Sequence, residues 1–99
     1  MDMLQLIRED ARLVILKALA KQVDERLHSG FLQTKLSESG IDRQREWVHS
    51  ELDWLAEIGA VTLRKVGSVV VAELTDKGAR HLRRAIAIDG IARPSRSGD

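Results

Sequence analysis

The hydrophobic period of this 99-residue chain changes at Gly59. Before it, apolar residues recur every three or four positions, the spacing of helices that bury one side. After it, residues 60–66 and 69–74 alternate or run β-branched on either side of Gly67-Ser68, the pattern of two strands joined by a two-residue turn. Thr75-Asp76 then restores a helix start, with a hydroxyl cap and an acid in the first turn. A chain that is helical, makes one hairpin and returns to helix has few ways to enclose a single core. Its class is α+β, mainly α.

Four helix and strand signals precede the hairpin. Leu4, Ile7, Ala11, Val14, Ile15, Ala18 and Leu19 form one stripe over residues 2–22, with Arg8, Glu9, Arg12 and Lys17 off it, which predicts an amphipathic first helix. Arg26-Leu27 is long enough only for a minimal strand. Ser29 is placed to cap a second helix with Phe31, Leu32 and Leu36 on its apolar side, and Ser39-Gly40 ends it. Ile41 and Asp42 open a third helix that runs to about residue 58, where Gly59 supplies a left-handed stop. A two-residue turn at Gly67-Ser68 pairs Val66 with Val69, Leu63 with Ala72 and Val61 with Leu74. That register puts Val61, Leu63, Val70, Ala72 and Leu74 on the core face and Thr62, Arg64, Val71 and Glu73 on the other. A closing helix is expected over 76–88 with Ala79, Leu82 and Ile86 inward, followed by a loose polar tail.

Three helices, a β-hairpin wing and a C-terminal helix, in that order, make a winged helix-turn-helix, with residues 1–89 as the domain and 90–99 as the tail. Local details agree. Val48-x-x-x-Leu52-x-x-Leu55-x-x-x-Gly59-Ala60-Val61 resembles the third helix and first wing strand of bacterial winged-helix regulators, and Leu74-Thr75-Asp76-Lys77-Gly78 resembles their exit from wing to last helix. Three longer segments, residues 9–20 (EDARLVILKALA), 51–57 (ELDWLAE) and 90–95 (GIARPS), resemble a family of small proteins encoded in Mu-like prophages. The resemblance implies a phage or prophage origin and a winged helix; it carries no catalytic motif.

Composition excludes several classes of function. There is no cysteine, so no disulfide, thiolate metal site or cysteine nucleophile exists, in keeping with a reducing cytoplasm. No apolar run approaches the roughly 20 residues of a membrane span, and the start of the chain lacks a secretory signal, so a cytoplasmic protein with no membrane partner is expected. The three histidines, His28, His49 and His81, fall in separate elements, and Glu46-x-x-His49 stands alone without the further carboxylates of a di-iron site. There is no glycine-rich phosphate loop and no nucleophile elbow. No catalytic residue, metal or cofactor is assigned.

The net charge of +1 conceals an asymmetry: residues 1–60 carry 8 Lys/Arg against 11 Asp/Glu, and residues 61–99 carry 8 against 4. In a winged helix that binds double-stranded DNA, the start of the third helix enters the major groove and the wing approaches phosphate. The candidate contacts are then Arg43, Gln44, Arg45, His49 and Ser50 on the third helix and Arg64 and Lys65 on the wing. Arg45 suits guanine O6/N7 and Gln44 suits adenine N6/N7. The plainer reading of the wing charges is a solvated hairpin with Arg64 near Glu73. Glu46, Asp53 and Glu57 fall on the outward face of the same helix and oppose DNA. A non-catalytic adaptor that grips a phage or host protein therefore stands beside the DNA-binding transcriptional regulator. Trp47 and Trp54 read as packing or as a subunit contact, and with Met1 and Met3-Leu4 they suggest a homodimer.

Overall fold

A computed structural model describes residues 2–95. The order of elements is α1 (Met3–Ala20), β1 (Arg26–His28), α2 (Ser29–Glu38), α3 (Arg45–Glu57), β2 (Val61–Val66), β3 (Val69–Leu74) and α4 (Asp76–Leu82). The strands form one antiparallel sheet in the order β1-β3-β2. This is the expected winged helix, with the short β1 added to the far side of the hairpin.

The hairpin register is the one that the turn dictates: Val66 faces Val69, Leu63 faces Ala72 and Val61 faces Leu74. With a side-chain period of two, Val70, Ala72 and Leu74 turn into the core beside Val61, while Leu63 is only half-buried. Gly67-Ser68 is exposed at the tip. The inner face of the sheet meets Ile15, Leu16 and Leu19 of α1, Leu32 and Leu36 of α2, and Val48, Leu52 and Leu55 of α3 in one apolar cluster. Gly59 sits at φ +85, the left-handed conformation that only glycine adopts freely. It lets the Ala60 N–H return to the Leu55 carbonyl at 2.9 Å, so that only three residues separate the end of α3 from the start of β2.

Five expectations about the helices and the tail are corrected. Ser29 does not cap α2. His28 does, its Nδ1 accepting from the N–H groups of Gly30 and Phe31 at 3.0 and 3.3 Å, while Ser29 is fully buried inside the first turn. Phe31 stays 55% exposed, stacked on His28, and is not part of the apolar side of α2.

Helix α3 begins at Arg45 with Gln44 as its N-cap, two residues later than the Asp42 cap implies. Residues 41–44 are instead used to end α2. The Ile41 N–H closes on the Leu36 carbonyl at 2.8 Å, and Gln33 donates to the Arg43 carbonyl at 3.0 Å.

Helix α4 ends at Leu82, six residues before 88. Arg84 takes a left-handed φ of +63 and the Ala85 N–H returns to the Arg80 carbonyl. The cause is His81, whose fully buried ring accepts the Ile88 N–H at Nδ1 and donates from Nε2 to the Ala92 carbonyl, so the chain must wrap around it.

The segment expected to be loose from residue 90 is held in place as far as residue 95. Ile91 is buried, the Ala92 N–H donates to the Glu9 carbonyl, and Arg84 donates to the Pro94 carbonyl. Residues 96–99 of the expected tail lie outside the described residues.

Candidate nucleic-acid interface

The side chains of α3 divide by angle around the helix. Val48, Glu51, Leu52 and Leu55 are buried, and directly opposite them Glu46, Ser50, Asp53 and Glu57 are exposed. Between these faces run two flanks. One carries Trp47 and Trp54, the other Arg45, His49 and Ala56.

The Arg45 flank faces the start of α2 and the sheet. Ser29 Oγ lies 2.9 Å from His49 Nε2 and accepts the Val70 N–H of β3 at 3.2 Å, so one buried hydroxyl ties α2, α3 and the central strand together. Arg45, the first residue of the helix, is exposed beside it; a Cβ at Gly30 would meet its guanidinium at 3.5 Å. Gln44 is exposed at the N-cap. Arg45, Gln44 and the start of α2 therefore form one surface.

The remaining candidates are arranged less simply. Arg43 precedes the helix and places its guanidinium 5.4 Å from the centre of the Trp47 ring, on the other flank. His49 is half-buried and engaged with Ser29 through one nitrogen. Ser50 is exposed and donates to the Trp47 carbonyl at 2.7 Å, leaving its lone pairs to accept. Arg64 and Lys65 are both exposed on β2 but on opposite faces. Arg64 faces outward in a row with Val71 and His28, and Lys65 is paired with Val70 on the inner face near the tip. Glu73 is not the partner of Arg64: its carboxylate pairs with Arg26 at 3.1 Å.

On the Trp flank the chemistry is closed. Arg12 and Glu51, 6% and 5% exposed at their side chains, form a 2.7 Å ion pair. Arg12 also donates to the Gly90 carbonyl at 2.8 Å and lies 3.8 Å over the Trp54 ring. Gly90, at φ +95, has no room for a side chain, since a Cβ would stand 2.6 Å from that ring. The helical pattern put Arg12 off the apolar stripe, and nothing local in the sequence marks it as buried.

The three histidines each have a partner within the protein, and among the described residues no three His, Asp or Glu side chains come together to hold a metal ion. No described helix is long and apolar enough to cross a membrane.

No protein-family model matches the sequence. An uncharacterized protein of Escherichia phage Mu, gp26, is 33% identical over 89 residues, covering 90% of this chain and 92% of its own. The chain belongs to this phage Mu family. For the Mu family member described here, the fold is independently matched by a MarR family transcriptional regulator from Streptomyces coelicolor solved in complex with DNA. Its TM-score is 0.63 at 24% identity over 81% of this chain. The Mu family chain spans 52% of that regulator's length, about half. The match establishes the winged helix, and the arrangement of α2, α3 and the hairpin is the one by which that fold presents a helix and a wing on one side.

Proposed function

We propose that this protein binds double-stranded DNA as a phage-encoded transcriptional regulator acting in the cytoplasm. The observation that carries the reading is the Arg45 flank: Gln44, Arg45 and His49 gather beside the start of α2, where Ser29 joins His49 to Val70, the wing residue paired with Lys65. In this reading Arg45 and Gln44 read base edges, with His49 and Ser50 beside them. Arg64 and Lys65 touch phosphate from the two faces of the wing, and Arg43, drawn toward Trp47, reaches only the backbone. The DNA complex of the structurally similar regulator supports this placement by analogy of fold.

The protein acts as a homodimer in this proposal, because two-fold symmetric readers present two copies of such a helix to two half-sites. Met3 and Leu4, 68% and 59% exposed at the start of α1, are the apolar surface available for pairing. Light scattering that gives a monomeric mass at high micromolar concentration would remove the dimer.

A second reading rests on Glu46, Asp53 and Glu57, which form an acidic stripe along the most outward face of α3. A phage or host protein with a basic groove would fit that stripe, and the domain would then serve as an adaptor. Mobility-shift titration of duplex fragments of the phage genome across a salt series separates the two. The DNA reading expects affinity that falls steeply as salt rises, and salt-independent absence of binding to every duplex would replace it with the adaptor.

A further inference from the structure

Ser29 is 0% exposed, and every hydrogen and lone pair on its hydroxyl needs a partner inside the protein. The Val70 N–H can only donate, so it takes one of the two lone pairs of Oγ at 3.2 Å. The hydroxyl hydrogen must then find an acceptor, and the one that the described residues provide is His49 Nε2 at 2.9 Å. If Nε2 carried a proton instead, that proton would take the second lone pair and the buried hydroxyl hydrogen would be left undonated, a costly arrangement. Nε2 is therefore bare, and the neutral ring carries its proton on Nδ1.

His49 Nδ1 makes no hydrogen bond to any described residue, yet no buried side-chain nitrogen or oxygen lacks a partner. It must open to solvent. It does so on the flank of α3 that also presents Arg45, one helical turn earlier.

We propose that Ser29 fixes His49 as an outward N–H donor, and that this donor reads an acceptor on a base edge in the major groove, such as guanine N7 or O6 or thymine O4. It rejects the amino group that cytosine presents at the same place. Ser29 is a positioning residue in this scheme, and because the same hydroxyl holds Val70 it also sets the wing relative to the donor. The donor itself follows from the hydrogen-bond geometry alone; its use on a base rests on the DNA-binding reading.

The histidines supply their own controls. His28 and His81 accept backbone N–H groups at Nδ1 and so carry the proton on Nε2, the reverse of His49. Long-range ¹H–¹⁵N correlation spectra of the free protein at mildly alkaline pH should therefore show two rings of one pattern and one of the other. An Nε2–H pattern at His49 overturns the proposal whatever DNA does. The second arm compares the base preferences of duplexes selected by wild type, His49→Phe, Ser29→Ala and Ser29→Thr. His49→Phe should lose about tenfold discrimination against cytosine at one position and leave the salt slope unchanged. Ser29→Ala should lose the same preference and admit the other tautomer, and Ser29→Thr, which keeps the hydroxyl, should restore both. Where Ser29→Ala does not fold, His49→Phe decides alone. An Nδ1–H pattern with unchanged preference in His49→Phe overturns the base contact and leaves DNA binding standing. Absence of duplex binding by wild type overturns the DNA reading and the base contact together, while the tautomer is judged by the spectra.

Discussion

The two flanks of α3 are anchored in opposite ways. On the side toward α1, Glu51 and Arg12 are a buried ion pair, closed off further by Trp54 and the Gly90 carbonyl, with Arg8 at 3.8 Å from the second carboxylate oxygen. On the side toward α2, the link is neutral: one hydroxyl shared between an imidazole and a strand N–H. The charged link uses its capacity internally. The neutral one leaves a ring nitrogen facing out. A helix pinned on both flanks holds its exposed residues in a fixed orientation, and in the DNA-binding reading the open flank is the one that makes the contacts.

The contrast predicts unequal costs of breakage. Glu51→Leu should leave the Arg12 guanidinium buried without its counter-charge and destabilise the fold by about 3–5 kcal/mol in urea unfolding. Arg12→Met combined with Glu51→Leu should recover much of that, because a buried pair replaced by apolar side chains of similar volume is close to neutral. A loss below about 1 kcal/mol in the single variant would show that the two flanks are not different in kind. On the neutral flank, Ser29→Ala strands the Val70 N–H and should cost about 1–3 kcal/mol. Equal costs for the two single variants would erase the distinction.

The pinned helix and the hairpin also differ in how far the sequence discloses them. In the hairpin, a period of two and a two-residue turn leave one register that buries Val61, Ala72 and Leu74, so local pattern suffices. The apolar stripe of α1 and the stop at Gly59 are local in the same way. What escapes is set by partners distant in the chain. Arg12 meets Glu51, 39 residues away. Ser29 looks like a helix cap from its neighbours, yet Val70, 41 residues on, claims its oxygen. The pattern Ala79, Leu82, Ile86 continues a helix that His81 breaks through bonds to Ile88 and Ala92. The candidate interface divides along the same line. Gln44, Arg45 and Arg64 are exposed as local pattern puts them, and Lys65, on the inner face by the strand period, is exposed because it lies near the tip, whereas the engagement of His49 and the turning of Arg43 toward Trp47 depend on tertiary contacts.

Within the DNA reading, the open flank and the wing should fail differently. Arg45→Ala should weaken the preferred duplex by about 1–3 kcal/mol and blur base discrimination, since a bidentate contact to a base edge is lost. Lys65→Ala should weaken all duplexes alike and lower the slope of log affinity against log salt by about one, the signature of one phosphate contact. Arg64, on the opposite face of β2, gives a further comparison. If only one of the two substitutions changes the slope, that face of the wing is the one lying on the backbone. Uniform weakening by Arg45→Ala, with discrimination intact, would move Arg45 from base to phosphate and remove the distinction between flank and wing.

The smallest effect is expected at Asp53, which belongs to neither flank but to the outward acidic stripe between them. A carboxylate about 7 Å from a phosphate in water is repelled by about 0.6 kcal/mol, and salt near physiological strength, with a screening length of about 8 Å, removes much of that. Asp53→Asn keeps the size and polarity of the side chain and deletes only the charge. If the stripe faces DNA, this change should tighten non-specific duplex binding by about threefold or less at low salt and have no effect at high salt. If Asp53 accepts from a cytosine amino group, the same change should instead weaken binding to one sequence alone. If binding is unaltered at low salt while Lys65→Ala still weakens it, the stripe points away from the duplex and only the Arg45 flank engages. The acidic face would then be free for a protein partner while DNA is held, so the adaptor and DNA-binding readings would occupy different sides of one helix.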